Sequence, residues 1–169
     1  AILNNGKAGL IDLNLLQGQK VLWAGSFPYD QADYTSYFLQ GAPKQGQSLN
    51  EVKDLLLAQI DMLRKGEWDE SLLTAGIANY KLQVQSMLED NESRAELFVQ
   101  SFVNGMNWAD MVNRIERMEK ITKADVVAFA NEYLKDNNYA VVYKRQGQDP
   151  NVKKIAKPAI TPIFMNRDA

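Results

Sequence analysis

Residues 48–66 read SLNEVKDLLLAQIDMLRKG, and this run sets the class of the fold. Ser48 followed three residues later by Glu51 spells a capping box, in which a hydroxyl and a carboxylate satisfy amides that a helix start leaves unpaired. Val52, Leu55, Leu56, Ile60 and Leu63 then recur at helical spacing on one face, and Gly66 is placed to stop the helix. Upstream, residues 20–29 and 34–40 are rich in Tyr, Phe, Trp, Thr and Val and read as strands. Asp30-Gln31-Ala32-Asp33 between them suggests a hairpin, so the two are expected to be antiparallel neighbours. The short apolar run at 9–17, bracketed by Gly9 and Gly18, fits one or two helical turns or a strand, since periodicity does not decide so short a segment.

Downstream, the spacing predicts four more helices. One opens at Asp69 and carries Leu73, Ile77, Tyr80, Val84, Met87 and Leu88 in register. The next, 93–104, uses Phe98, Val99, Phe102 and Val103 and ends at Gly105. A third spans about 108–118, and a fourth is capped by Thr122-Lys123-Ala124-Asp125 and carries Val126, Val127, Phe129, Ala130, Tyr133 and Leu134. Asn91-Glu92-Ser93 has the spelling of a glycosylation acceptor but sits at a helix start, where it reads as a cap. After the turn residues Asp136-Asn137-Asn138, Tyr139-Ala140-Val141-Val142-Tyr143 has the clearest strand composition in the chain. Strands, then helices, then a returning strand predict an α+β class: an antiparallel or mixed sheet backed on one face by several helices. The expected division is a domain at 1–145 and an extended, Pro- and Lys-containing linker at 146–169.

Composition narrows the function. The 169 residues are 46% hydrophobic and 24% charged, ordinary values for a domain with a real core. The net charge is −2, so no chain-wide basic field exists to hold nucleic acid or an anionic membrane. No apolar run reaches the length of a membrane span. There is no cysteine and no histidine. That removes thiolate nucleophiles, Ser-His-Asp and Cys-His systems, imidazole bases and every Cys- or His-ligated zinc site. The start, Ala1-Ile2-Leu3, has neither an initiator Met nor a signal-peptide layout, and the chain is expected to be a piece of a longer one.

Few residues are left to carry chemistry. Gly41-Ala42-Pro43-Lys44-Gln45-Gly46-Gln47-Ser48 has the glycine spacing and setting of a phosphate loop, but Gln47 stands where the loop lysine belongs and Pro43 lacks a donor. A turn feeding a helix cap explains it. The acidic groups Glu67/Asp69/Glu70 and Glu89/Asp90/Glu92 fall at helix boundaries, where carboxylates cap amides. Glu116 and Glu119 alternate with Arg114, Arg117 and Lys120 as a solvated, ion-paired face.

The series from Lys44 onward carries a resemblance. Lys44-Gln45-Gly46-Gln47-Ser48-Leu49-Asn50-Glu51-Val52 leads to Arg64-Lys65-Gly66-Glu67-Trp68-Asp69-Glu70-Ser71-Leu72-Leu73-Thr74-Ala75, then Ser93-Arg94-Ala95, Ile121-Thr122-Lys123-Ala124-Asp125-Val126, Ala130, Tyr133-Leu134 and the run 139–143. In order and spacing, from about residue 40 to 145, this resembles the pitrilysin/insulinase-type zinc metallopeptidases. The resemblance implies a partial domain of a clamshell whose halves each hold two α+β domains, as in mitochondrial-processing-peptidase-like proteins, around a peptide-degrading chamber. In that family an H-x-x-E-H motif and a further Glu hold zinc and activate water. None of this transfers to a chain without histidine. The family's assisting Arg and Tyr would fall near Asn14 and Val21, and neither residue type is there.

What the resemblance implies is therefore a non-catalytic domain. Zinc is expected in a separate catalytic domain, of the same polypeptide or a partner chain, and peptide is the expected substrate of the whole. Trp23, Phe27, Tyr34 and Tyr37 are the candidate substrate contacts, along a sheet where an extended peptide would lie. The alternative is a scaffold or assembly subunit whose relatives have lost peptidase activity. An open sheet edge also raises the expectation of a homodimer.

Overall fold

A computed structural model describes residues 2–147, 153 and 155–160. The chain forms strands β1 (Trp23–Asp30) and β2 (Thr35–Ala42), then helices α1 (Leu49–Lys65), α2 (Ser71–Glu89), α3 (Asn91–Val103), α4 (Trp108–Val112), α5 (Arg114–Met118) and α6 (Lys123–Tyr133). This is an α+β arrangement with a two-stranded antiparallel sheet. The early apolar run resolves as a wide helical turn, Asp12–Gln17, closed by bonds such as Lys20 N–H to the Leu15 carbonyl at 2.8 Å. Asp12 is buried and fixes the loop before it, accepting from the Asn4 side-chain amide and from the backbone amides of Asn5 at 2.8 Å and Gly9 at 2.9 Å.

Helix α1 is the centre of the packing. Ser48 Oγ accepts from the Glu51 amide at 3.2 Å while the Glu51 carboxylate accepts from the Ser48 amide at 2.8 Å, completing the capping box. Gly66 ends the helix at φ +70°, a left-handed conformation that suits glycine. Val52, Leu56, Ile60 and Leu63 are buried from this helix, each burial stabilising by about 1.5–3 kcal/mol. They join Ile2, Leu3, Leu10, Ile11, Leu15, Val21, Ala24, Trp68 and Ala130 in one core. One side of α1 touches β2. A Cβ at Gly41 would lie 2.6 Å from Val52 Cγ1, so only glycine permits that approach. The last turn of α1 is tied to α6 by the Asn131 amide, which donates to the Arg64 carbonyl at 2.8 Å, and to the loop after α6 by Arg64 to Asp136 at 2.8 Å.

Four expectations are corrected. Residues 139–143 form no strand, because no other strand lies alongside to take their amides and carbonyls among the described residues. Helices α2 and α3 bury little: Phe98, Val99, Phe102 and Val103 are exposed, because among the described residues α3 packs mainly on α2 and α4, outside the layer that α1 shares with the sheet. The segment 108–118 is two short helices that meet at Asn113, which leaves helical geometry at φ −85°, ψ 10°. The cap of α3 is Asp90, which accepts from the Ser93 amide at 2.7 Å, so Asn91 lies inside the helix. Most of 146–169 lies outside the described residues.

Four capping carboxylates make stability depend on acid. Glu51 is held below its ordinary pKa by the Ser48 amide and then the Ser48 hydroxyl, and Asp90 likewise by the amide and hydroxyl of Ser93. Asp125 is lowered by the Thr122 hydroxyl and then its amide, and Asp69 by the side chain and amide of Ser71. A carboxylate whose folded pKa is depressed stabilises above its unfolded pKa of about 4 and loses that contribution as pH falls through the folded value. The urea midpoint is therefore expected to fall between about pH 5 and pH 3. Glu51→Gln with Asp125→Asn should flatten that slope; an unchanged slope would show that these caps do not set it.

Candidate functional site

The candidate surface is the outer face of the hairpin. Pairing runs from Trp23 opposite Ala42 to Asp30 opposite Thr35, with Phe27 opposite Phe38. Because side chains alternate along a strand and paired residues share a face, Trp23, Gly25, Phe27 and Tyr29 stand with Ala42, Gln40, Phe38 and Ser36 on one face. Ala24, Ser26, Pro28 and Asp30 stand with Gly41, Leu39, Tyr37 and Thr35 on the other. The second face meets α1 through Ala24, Leu39 and Gly41. The first is open: Trp23 is 48% exposed, Phe27 and Phe38 42% each, and Tyr29 55%.

The open face is an aromatic row. Phe27 and Phe38 stack with centroids 5.4 Å apart, and Tyr29 meets Phe38 edge-on at 6.4 Å. The Trp23 indole lies along the strand over Gly25, where a Cβ would come 3.2 Å from its Cζ2. Pro28 has no amide to donate, which limits further pairing along the free edge of β1.

The four candidate contacts separate. Trp23 and Phe27 share the open row, and Tyr34 is exposed beside the hairpin turn. Tyr37 projects from the opposite face, where its hydroxyl is 3.0 Å from Ser26 Oγ. Burial raises its pKa more than that hydrogen bond lowers it, so the phenol stays protonated near neutral pH. Tyr29 and Phe38 complete the row and are not singled out by the sequence alone. The signal is present in W-A-G-S-F-P-Y-D, whose period of two puts residues 23, 27 and 29 together.

The other candidates resolve into scaffolding. Lys44 Nζ donates to the Gln19 carbonyl at 2.6 Å and the Gln47 amide to the Lys20 carbonyl at 2.9 Å, so the loop resembling a phosphate cradle braces the chain before β1. Asn14 donates to Gln59 Oε1 at 2.7 Å and Val21 is in the core, so neither position presents a group to substrate. Asp69 and Asp90 are caps, and Glu119 pairs with Lys81 at 3.6 Å. Among the described residues no three acidic side chains gather as metal ligands. With no His or Cys in the sequence, these residues do not fit the zinc site that the resemblance would place in a catalytic domain. No helix among the described residues is long and apolar enough to cross a membrane.

Comparison with known proteins gives a likeness in structure rather than in sequence. No protein-family model matches the chain, and no curated protein matches it in sequence. Among solved structures it is similar to a protease from Helicobacter pylori, with a TM-score of 0.73 and 23% sequence identity. The likeness covers 81% of this chain and 33% of that one, so the chain spans about a third of the protease's length. The fold is thus one found within a protease.

The stacked pair makes the row testable in solution. Phe27→Ala and Phe38→Ala, alone and together, should give a coupling of about 0.5–1.5 kcal/mol in urea unfolding. Strict additivity would mean that the two rings do not stack.

Proposed function

We propose that this chain is a non-catalytic domain of a zinc-dependent metallopeptidase of the pitrilysin/insulinase type, forming part of the chamber wall in which another domain hydrolyses peptides. The observation that carries the reading is the structural likeness to a protease across 81% of the chain. The sequence series from Lys44 to Tyr143 supports the choice of family, and the lack of His and Cys supports a domain that holds no zinc. In this reading the zinc-bearing domain belongs to the same polypeptide or to a partner chain.

The role of the wall is contact with substrate. An aromatic row on a hairpin offers apolar area to side chains of an extended peptide while the α1 side stays committed to the core. Trp23 and Phe27, extended by Tyr29 and Phe38, provide that surface, with Tyr34 beside the turn. Tyr37, on the other face, serves as an internal control.

The test is steady-state peptide cleavage by the parent polypeptide. Trp23→Ala with Phe27→Ala should raise KM on the order of tenfold with kcat little changed, the pattern of lost uniform binding. Tyr37→Phe should leave both constants in place. The chain alone, with zinc added, should cleave nothing; hydrolysis by the chain alone would overturn the non-catalytic assignment. An unchanged KM in the double variant would remove the row from substrate binding, and a parent inert with zinc would favour the scaffold role.

A further inference from the structure

The sequence holds two Asn-Gly pairs: Asn5-Gly6, in the loop before the first helical turn, and Asn104-Gly105, at the end of α3. In such a pair the glycine nitrogen can close on the asparagine side-chain carbonyl, since no Cβ on the next residue obstructs the approach. The outcome depends on what the fold does with two groups, the glycine N–H and the asparagine carbonyl.

The two pairs are held differently. At the second, the Gly105 amide donates to the Phe102 carbonyl at 3.1 Å and the Asn104 amide to the Gln100 carbonyl at 3.0 Å. The attacking nitrogen is engaged there, and the last turn of a helix fixes the backbone around it. At the first, Asn5 Oδ1 accepts from the Lys7 amide at 3.0 Å and from the Ala8 amide at 2.8 Å. Two N–H groups on one carbonyl oxygen draw charge from its carbon and stabilise the negative charge that grows there during attack. The Gly6 N–H donates to nothing among the described residues. Gly6 is exposed at φ +78°, and no atom lies within 4 Å of where its Cβ would be.

We infer that Asn5 is a site of spontaneous covalent modification with water as the co-reactant. The Gly6 nitrogen bonds to Asn5 Cγ, the Cγ–Nδ2 bond breaks, and the glycine proton passes through water to the departing ammonia. The product is a succinimide. Water then opens the ring, at Cγ to give aspartate or at the main-chain carbonyl to give isoaspartate, and nothing is oxidised or reduced. Aspartate keeps an oxygen for the amides of residues 7 and 8. Isoaspartate routes the main chain through Cβ and lengthens a loop whose Asn5 and Gly9 amides both donate to Asp12, at 2.8 and 2.9 Å. That loop follows Ile2 and Leu3, which are buried in the core, so isoaspartate loosens their anchor. The inference stands on these residues whether or not the parent protein is a peptidase.

Peptide mapping by mass spectrometry tests it on the chain, incubated folded at neutral pH and, in parallel, unfolded in urea. Asn5 should convert at least about tenfold faster than Asn104 in the folded chain, and the two rates should converge in urea, where neither pair keeps its hydrogen bonds. Asn5→Asp should leave the urea midpoint nearly unchanged, while the isoaspartate form, separated by chromatography, should unfold at lower urea. Equal rates in the folded chain, or a faster Asn104, would overturn the assignment. So would an Asn5 that reacts more slowly folded than in urea, since the two amides would then only hold it still. An isoaspartate form as stable as the starting chain would overturn the loosening of the anchor.

Discussion

The close approach of β2 to α1 at Gly41 is the contact on which the rest of the structure depends. It lets Val52 and Leu56 reach the inner face of the hairpin, and so turns a two-stranded ribbon, marginal alone, into one wall of a core. Everything that holds α1 in place serves that contact. Its first turn is fixed by Ser48 and Glu51, and its last by Gly66. On its flank Gln59 takes the Asn14 amide, which joins the opening helical turn to the same element. At the far end Lys123 donates to the Trp68 carbonyl at 2.6 Å and lies over the indole, locking α6 against the turn between α1 and α2.

That arrangement has a functional consequence. The inner face of the hairpin is used up in packing, and the outer face is left with four aromatic side chains and no covering element among the described residues. A rigid backing with an open apolar front suits a surface that meets other polypeptide. Elsewhere Lys44 braces a loop, Asp90 caps α3 and Glu119 pairs with Lys81 at the surface, and among the described residues no three acidic side chains gather as metal ligands.

Much of this is legible in the sequence because it is local. The Ser48 and Thr122 capping boxes, the Gly66 stop and the hairpin across 30–33 depend on residues a few positions apart, and each forms as its spelling predicts. What is not legible depends on layers. The helical spacing of Phe98, Val99 and Phe102 is real, but spacing does not say how much a partner covers: Phe98 stacks on Trp108 of α4, yet all three side chains stay exposed among the described residues. Likewise Tyr139 to Tyr143 carry strand propensity without a neighbouring strand among the described residues to express it. For the aromatic row, the period of two is in the sequence, but joining Phe38 to Phe27 needs the register of the hairpin. Residue type groups Tyr37 with Trp23, and parity along the strands parts them.

Native-state hydrogen exchange, read amide by amide, tests the central place of α1 most directly. The slowest exchange is predicted in α1 between Leu56 and Leu63, with paired amides of β1 and β2 and the α6 amides near Ala130 opening at similar cost. Helices α3, α4 and α5, with few buried side chains, should exchange earlier and as a separate group. Slowest exchange in α3, or one uniform protection level across all helices, would contradict an architecture organised around α1.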